Sequence, residues 1–122
     1  MFEITITGHF DSAHYLNGYK GRCEEVHGHR FEVLAGVRGE GLNEIGILYD
    51  FTELKAHLKE ITGYLDHKPL NALPSFKDCN PSSENLAAYI YRELAARLQT
   101  PGVTLSFVEV HESPSNRVRY TP

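Results

Sequence analysis

Apolar and polar residues alternate at the start of the chain, with Phe2, Ile4 and Ile6 on one side and Glu3, Thr5 and Thr7 on the other. A period of two predicts a half-buried strand over residues 2–10. The alternation returns over residues 29–39 through Phe31, Val33, Ala35 and Val37. Gly39, Gly41 and Gly46 then loosen the chain into a turn-rich stretch. From Thr52 the period changes to that of a helix, with Leu54, Leu58, Ile61 and Leu65 on one stripe. A second helix is expected after Pro81, because Ser82 and Ser83 both suit an N-cap and Glu84 suits the electropositive first turn. Leu86, Ile90, Leu94 and Leu98 form its stripe, and Pro101-Gly102 ends it. Residues 103–112 and 117–121 predict two more strands around a turn at Ser113-Pro114-Ser115-Asn116. The order ββααββ implies an α+β domain spanning residues 1–122: a four-stranded antiparallel sheet with two helices on one face. Such a sheet leaves one face and both edges uncovered, so closure by copies of the same chain is expected.

Composition narrows the function classes. With 122 residues, 41% apolar and 23% charged, the chain reads as one soluble globular domain. It has no apolar run near the roughly 20 residues that cross a bilayer. A net charge of −4 argues against a general nucleic-acid binder, which needs a clustered basic face. MFEITITGHF has neither the basic start nor the apolar core of a signal peptide, so a cytoplasmic protein is expected. Its two cysteines are then expected to be reduced, with a Cys23–Cys79 disulfide as the alternative.

Candidate chemistry gathers on histidine. His27 and His29 share parity with the inward Phe31 and Val33, so they project from the same strand face. Two imidazoles on an apolar face need a partner, and Zn²⁺ fits, with Gly28 between them allowing close backbone approach. A third ligand is expected from the neighbouring strand, where His14 follows Ser12-Ala13. Three His ligands leave a fourth tetrahedral position open, which is the pattern of a catalytic zinc. A polar strand entry is the plainer reading of His-Gly-His. Cys23, four residues before His27, reads three ways: fourth ligand, quiet buried thiol or reactive thiolate. His67, beside Asp66 at the end of the first helix, is the candidate base for a reactive Cys23, and a polar helix terminus otherwise. Glu112 ends the third strand and offers two coplanar acceptors to a ligand with adjacent N–H groups.

Taken in order, six segments resemble the 6-pyruvoyl-tetrahydropterin synthase and 6-carboxy-tetrahydropterin synthase family. They are Phe10-Asp11-Ser12-Ala13-His14, Cys23-Glu24-Glu25-Val26-His27-Gly28-His29, Leu48-Tyr49-Asp50-Phe51, Leu65-Asp66-His67-Lys68-Pro69-Leu70-Asn71, Asn80-Pro81-Ser82-Ser83-Glu84-Asn85-Leu86 and Val108-Glu109-Val110-His111-Glu112. The resemblance implies the tunnelling fold, with trimeric β-barrels stacked into a hexamer and active sites between subunits. It implies zinc on His14, His27 and His29, proton transfer by Cys23 with Asp66 and His67, and a pterin held by Glu112 near Ser82 and Ser83. The implied substrate is 7,8-dihydroneopterin triphosphate. The short Cys-x-x-x-His-Gly-His spacing resembles the bacterial carboxy-tetrahydropterin enzymes that begin the route to queuosine. Glu24 stands where some relatives lacking the cysteine use a glutamate to make 6-hydroxymethyl-dihydropterin for folate. Two alternatives stay open: a 6-pyruvoyl-tetrahydropterin synthase, and a zinc-stabilised scaffold without catalysis.

Overall fold

The computed structural model describes residues 1–19, 21 and 24–122. The elements run β1 (Phe2–His14), β2 (His27–Gly39), α1 (Phe51–Leu65), α2 (Ser83–Arg97), β3 (Thr104–Ser113) and β4 (Asn116–Tyr120), with two 3₁₀ turns, Leu70–Ala72 and Pro74–Phe76, between the helices. The sheet order is β1-β2-β3-β4, every neighbouring pair antiparallel. Both helices cover one face. Phe10 stacks on Phe31 at 4.9 Å between ring centroids, and beneath them lie Val33, Val37, Leu54, Leu58, Leu86, Ile90 and Leu94, all buried. Each such side chain contributes about 1.5–3 kcal/mol over remaining in water. Gly8 lets α1 settle on β1, since a Cβ there would stand 2.9 Å from Leu58.

Two boundaries depart from the hydrophobic pattern by more than one residue. β1 continues four residues past Phe10, and β2 starts at His27 rather than at 29. The added rungs are Asp11↔Arg30, Ser12↔His29, Ala13↔Gly28 and His14↔His27. Ser12 and His14 keep the inward parity of Phe10 but carry polar atoms, so apolar alternation cannot detect them. Tertiary partners meet Ser12 Oγ, which donates to the Leu65 carbonyl as α1 ends, and one of the two ring nitrogens of His14. Phe2, expected on the inner side, is half exposed at the end of the sheet, opposite Gly39.

The cap of α2 matches the expected chemistry with one refinement, whereas the cap of α1 was not foreseen. Asp50 Oδ1 accepts from Thr52 N at 2.7 Å, and Ser82 Oγ accepts from Asn85 N at 3.1 Å. Ser82 therefore takes the cap, and the Ser83 hydroxyl is free for another partner.

On the helix-free face, the buried Glu109 accepts from His111 Nε2 at 2.8 Å and from Arg119 Nε at 2.7 Å, and the Arg119 guanidinium lies 3.8 Å over the Phe107 ring. The hydrogen bond from His111, aided by Arg119, holds the Glu109 carboxyl below its ordinary 4.5. The fold thus favours the ionised form, so this stabilisation is complete above about pH 4.5 and is lost as pH falls through the folded value. Glu109→Gln is expected to lose about 1.5–3 kcal/mol at pH 7 and distinctly less at about pH 3, below the range in which the carboxylate stays ionised. Urea unfolding at the two pH values measures both effects.

Candidate metal centre and its surroundings

The antiparallel register brings three histidines to one spot. His14 and His27 are direct cross-strand partners, and His29 lies one inward position further along β2, opposite Ser12. Their rings meet edge to face, with centroids 4.5 Å apart for His14–His27, 4.7 Å for His27–His29 and 5.5 Å for His14–His29. Glu112, at the far end of β3, brings Oε1 to 2.8 Å from His29 Nε2, 3.7 Å from His14 Nε2 and 3.8 Å from His27 Nε2. One donor atom from each of these four residues falls within 4.8 Å of all the others. A tetrahedral zinc with bonds of 2.0–2.1 Å holds its nitrogens about 3.3 Å apart, so the group would draw in around one.

The outer nitrogens decide which lone pairs face inward. His14 Nδ1 lies 2.7 Å from the Pro81 carbonyl, and His27 Nδ1 lies 2.7 Å from the Glu25 carbonyl. A carbonyl only accepts, so both Nδ1 atoms carry the proton and both Nε2 atoms present a lone pair to the centre. His14 Nε2 and His29 Nε2 are buried without a hydrogen-bond partner, the 2.8 Å approach of Glu112 being off the bonding direction for His29. Orphaned buried nitrogens aimed at one point are what a cation would satisfy. Burial holds His29 below the ordinary histidine value, with His27 and His14 adding to this against the pull of Glu112. His29 is thereby kept in the neutral form that binds metal. The donor set fits zinc. Gly28 is not there for close approach within this chain, since a Cβ would meet only the Ser12 carbonyl at 3.9 Å.

Beside the cluster, a cleft of about 300 Å³ is lined by His14, Ser82, Ser83, Glu112 and Arg117. Ser83 Oγ donates to Glu112 Oε2 at 3.1 Å, so the expected serine and carboxylate do meet. Ser82 is engaged as the helix cap. The volume is at the small end for a ligand pocket.

Asp66 and His67 form a second group with Asp11, separate from the three histidines in this chain. Asp66 Oδ1 accepts from Asp11 N at 2.8 Å, and its Oδ2 lies 2.8 Å from His67 Nδ1 as an ion-pair contact. The backbone N–H of Asp11, then His67, hold Asp66 below the ordinary aspartate value. His67 has φ +54°, a left-handed conformation that costs a non-glycine residue about 1–2 kcal/mol. Its backbone N–H is tied to the Asp11 carbonyl at 2.6 Å, and its side chain is 78% exposed. It lines, with Asp11, His29 and Arg30, a shallow cleft of about 600 Å³ on the other side of β1 and β2 from Glu112.

Glu24 is exposed in a turn whose N–H donates to the Gly21 carbonyl at 3.2 Å. Cys23 lies outside the described residues, and Cys79 is exposed. Sequence reasoning gave no role to Asp11, Asn71 and Asn80, although all three stand inside the quoted segments. It also had no way to find the carbonyls of Pro81 and Glu25.

A four-stranded antiparallel sheet backed by two helices, with three convergent imidazoles and a carboxylate at one end, defines an α+β protein with a group able to hold a metal ion. A family model described as 6-pyruvoyl tetrahydropterin synthase matches residues 3–122. The chain belongs to that family, its subunit has the tunnelling fold, and it is an enzyme of the lyase type. It is 37% identical over 117 residues to the 6-carboxy-5,6,7,8-tetrahydropterin synthase of Synechocystis sp., with 91% of this chain and 86% of the relative covered. It is 33% identical over 128 residues to the Bacillus subtilis protein of the same name, covering 99% and 86%. The solved 6-pyruvoyl tetrahydropterin synthase of Caenorhabditis elegans superposes with a TM-score of 0.89 at 27% identity, covering 99% of this chain and 95% of that one.

Proposed function

We propose that this chain is a zinc-dependent 6-carboxy-5,6,7,8-tetrahydropterin synthase, which converts 7,8-dihydroneopterin triphosphate with release of acetaldehyde and triphosphate. The observation that carries the proposal is the convergence of three Nε2 lone pairs, two of them fixed by backbone carbonyls, next to a serine-supported carboxylate. Bound zinc supplies a Lewis acid that acidifies the hydroxyls of the substrate side chain. Glu112 receives the paired N–H groups of the pterin edge, with Ser83 and the cap at Ser82 shaping that end of the cleft. Cys23 as thiolate takes and returns the side-chain proton, and His67, oriented by Asp66, exchanges it with solvent. The carboxy product is favoured over the pyruvoyl one by the names of the relatives matched over nearly the whole chain and by the short Cys-x-x-x-His-Gly-His spacing. The outward-facing His67 suits a site completed by a neighbouring subunit, and the free edge of β4 suits closure into a barrel and a hexamer of two trimers.

A second reading rests on Glu112 Oε1, drawn in among the imidazoles. As a fourth ligand it would close the metal's shell and make the protein a zinc-stabilised pterin-binding scaffold. Incubating the purified protein with dihydroneopterin triphosphate and identifying the products by mass spectrometry separates the readings. The carboxy product with acetaldehyde is expected. A pyruvoyl product alone would assign the elimination reaction, and no turnover would leave the scaffold.

A further inference from the structure

Beyond Phe10, the outer edge of β1 is not open. The backbone groups of Asp11, Ala13, Tyr15 and Asn17 point alternately outward, and each meets a partner. Asp11 O accepts from His67 N, and Ala13 forms a parallel bridge with Pro69. Tyr15 N donates to Asn71 Oδ1 at 3.0 Å while Tyr15 O accepts from Asn71 Nδ2 at 3.1 Å. These three pairings share one parallel register of 56 residues, the separation between Tyr15 and Asn71. Segment 67–71 is thus a surrogate strand whose last rung is a side-chain amide. At Asn17 the register would call for Leu73, but the chain has turned into 3₁₀ structure. Asn80 fills the place, accepting from Asn17 N at 2.9 Å and donating to Asn17 O at 3.0 Å.

An asparagine amide offers one acceptor and a donor side by side, as a peptide unit does, so it pairs both backbone groups of one residue. Without it, four backbone groups just past the last β1–β2 rung, His14↔His27, would lack these partners. Asn80 is anchored in turn, its carbonyl accepting from Asn85 Nδ2 at 2.8 Å, and the next carbonyl, Pro81, holds His14 Nδ1. The two amides therefore tie together the strand end that carries His14, the segment that carries His67 and the cap of α2.

We infer that Asn71 and Asn80 are positioning residues that set the direction in which the chain leaves His14 and fix the His67 segment against it. For its catalytic consequence this rests on the proposed synthase activity; for its structural one it stands alone. The test uses full-length Asn71→Ala and Asn80→Ala. The amide hydrogens of Tyr15 and Asn17 should exchange at least tenfold faster in the matching variant, with zinc content unchanged. On dihydroneopterin triphosphate, kcat should fall on the order of ten- to a hundredfold while KM stays within about twofold, because Glu112 and Ser83 are untouched. If an alanine variant does not fold, Asn71→Asp and Asn80→Asp replace it. They keep the acceptor for the N–H and remove the donor to the C=O, and should fall between wild type and alanine. Unchanged exchange at both amides would overturn the inference, as would faster exchange with wild-type kcat. A wild-type protein without turnover would sink the synthase reading and leave the exchange result to judge the two rungs.

Discussion

Replacing His27 with alanine is expected to strip the protein of most of its metal. As isolated, the wild-type chain should hold about one zinc, on the Nε2 atoms of His14, His27 and His29. His27 is the ligand to remove first. It is a direct cross-strand partner of His14, so its loss opens the centre of the cluster, yet it is only partly buried and leaves no large cavity. Removing a residue that merely hydrogen-bonds a ligand costs about 10–100-fold in metal affinity, and losing a ligand should exceed that. Metal analysis after dialysis against a chelator is the measurement, and full zinc retention would remove these histidines from the assignment. Glu112→Gln is read in the same experiment. As the group that receives the pterin, Glu112 contributes through hydrogen bonds to a charged acceptor, about 1.5–3 kcal/mol, so KM should rise roughly 10- to 100-fold with zinc intact. Zinc lost alongside would make Glu112 the fourth ligand and favour the scaffold.

Cys23→Ala is expected to abolish 6-carboxy-tetrahydropterin formation while leaving zinc in place. Removing the group that moves the substrate proton costs about 10²–10⁴ in rate, whereas a quiet thiol would cost almost nothing. Glu24 makes the outcome informative. It is the next residue along the loop and is exposed in its turn, so its carboxylate is at hand as a base that needs no thiolate. If Glu24 serves a second activity, Cys23→Ala should still release 6-hydroxymethyl-dihydropterin, and Glu24→Gln should lose that product while sparing the carboxy one. Quantifying both pterins from both variants decides it. Loss of both products in Cys23→Ala, with Glu24→Gln unchanged, would make this a one-product enzyme.

The element order was legible because two faces of this fold are strongly patterned. Phe31, Val33, Ala35 and Val37 face the helices with period two, and Leu54, Leu58, Ile61 and Leu65 face the sheet at helical spacing, so burial leaves its signature in the letters. His27 and His29 were legible for the same reason, since they keep the parity of Phe31. Recognition of the family rested on segments whose spacing the fold preserves.

What parity could not supply was register. The end of β1, the pairing of His14 with His27 and the arrival of Glu112 over both depend on which residues of distant segments stand opposite each other. The separation of the Asp66–His67 pair from the metal cluster was also invisible, because sequence order carries no distance across a sheet edge. The tautomers of His14 and His27 are set by the carbonyls of Pro81 and Glu25, atoms that every residue possesses and no letter distinguishes. Asn71 and Asn80 are ordinary loop asparagines until folding brings them alongside Tyr15 and Asn17. The sequence by itself determined which residue types face the core and which chemistry is on hand. Only the tertiary structure decided which lone pairs converge, because the strand register sets His14 opposite His27 and the Pro81 carbonyl, 67 residues from His14, turns its ring.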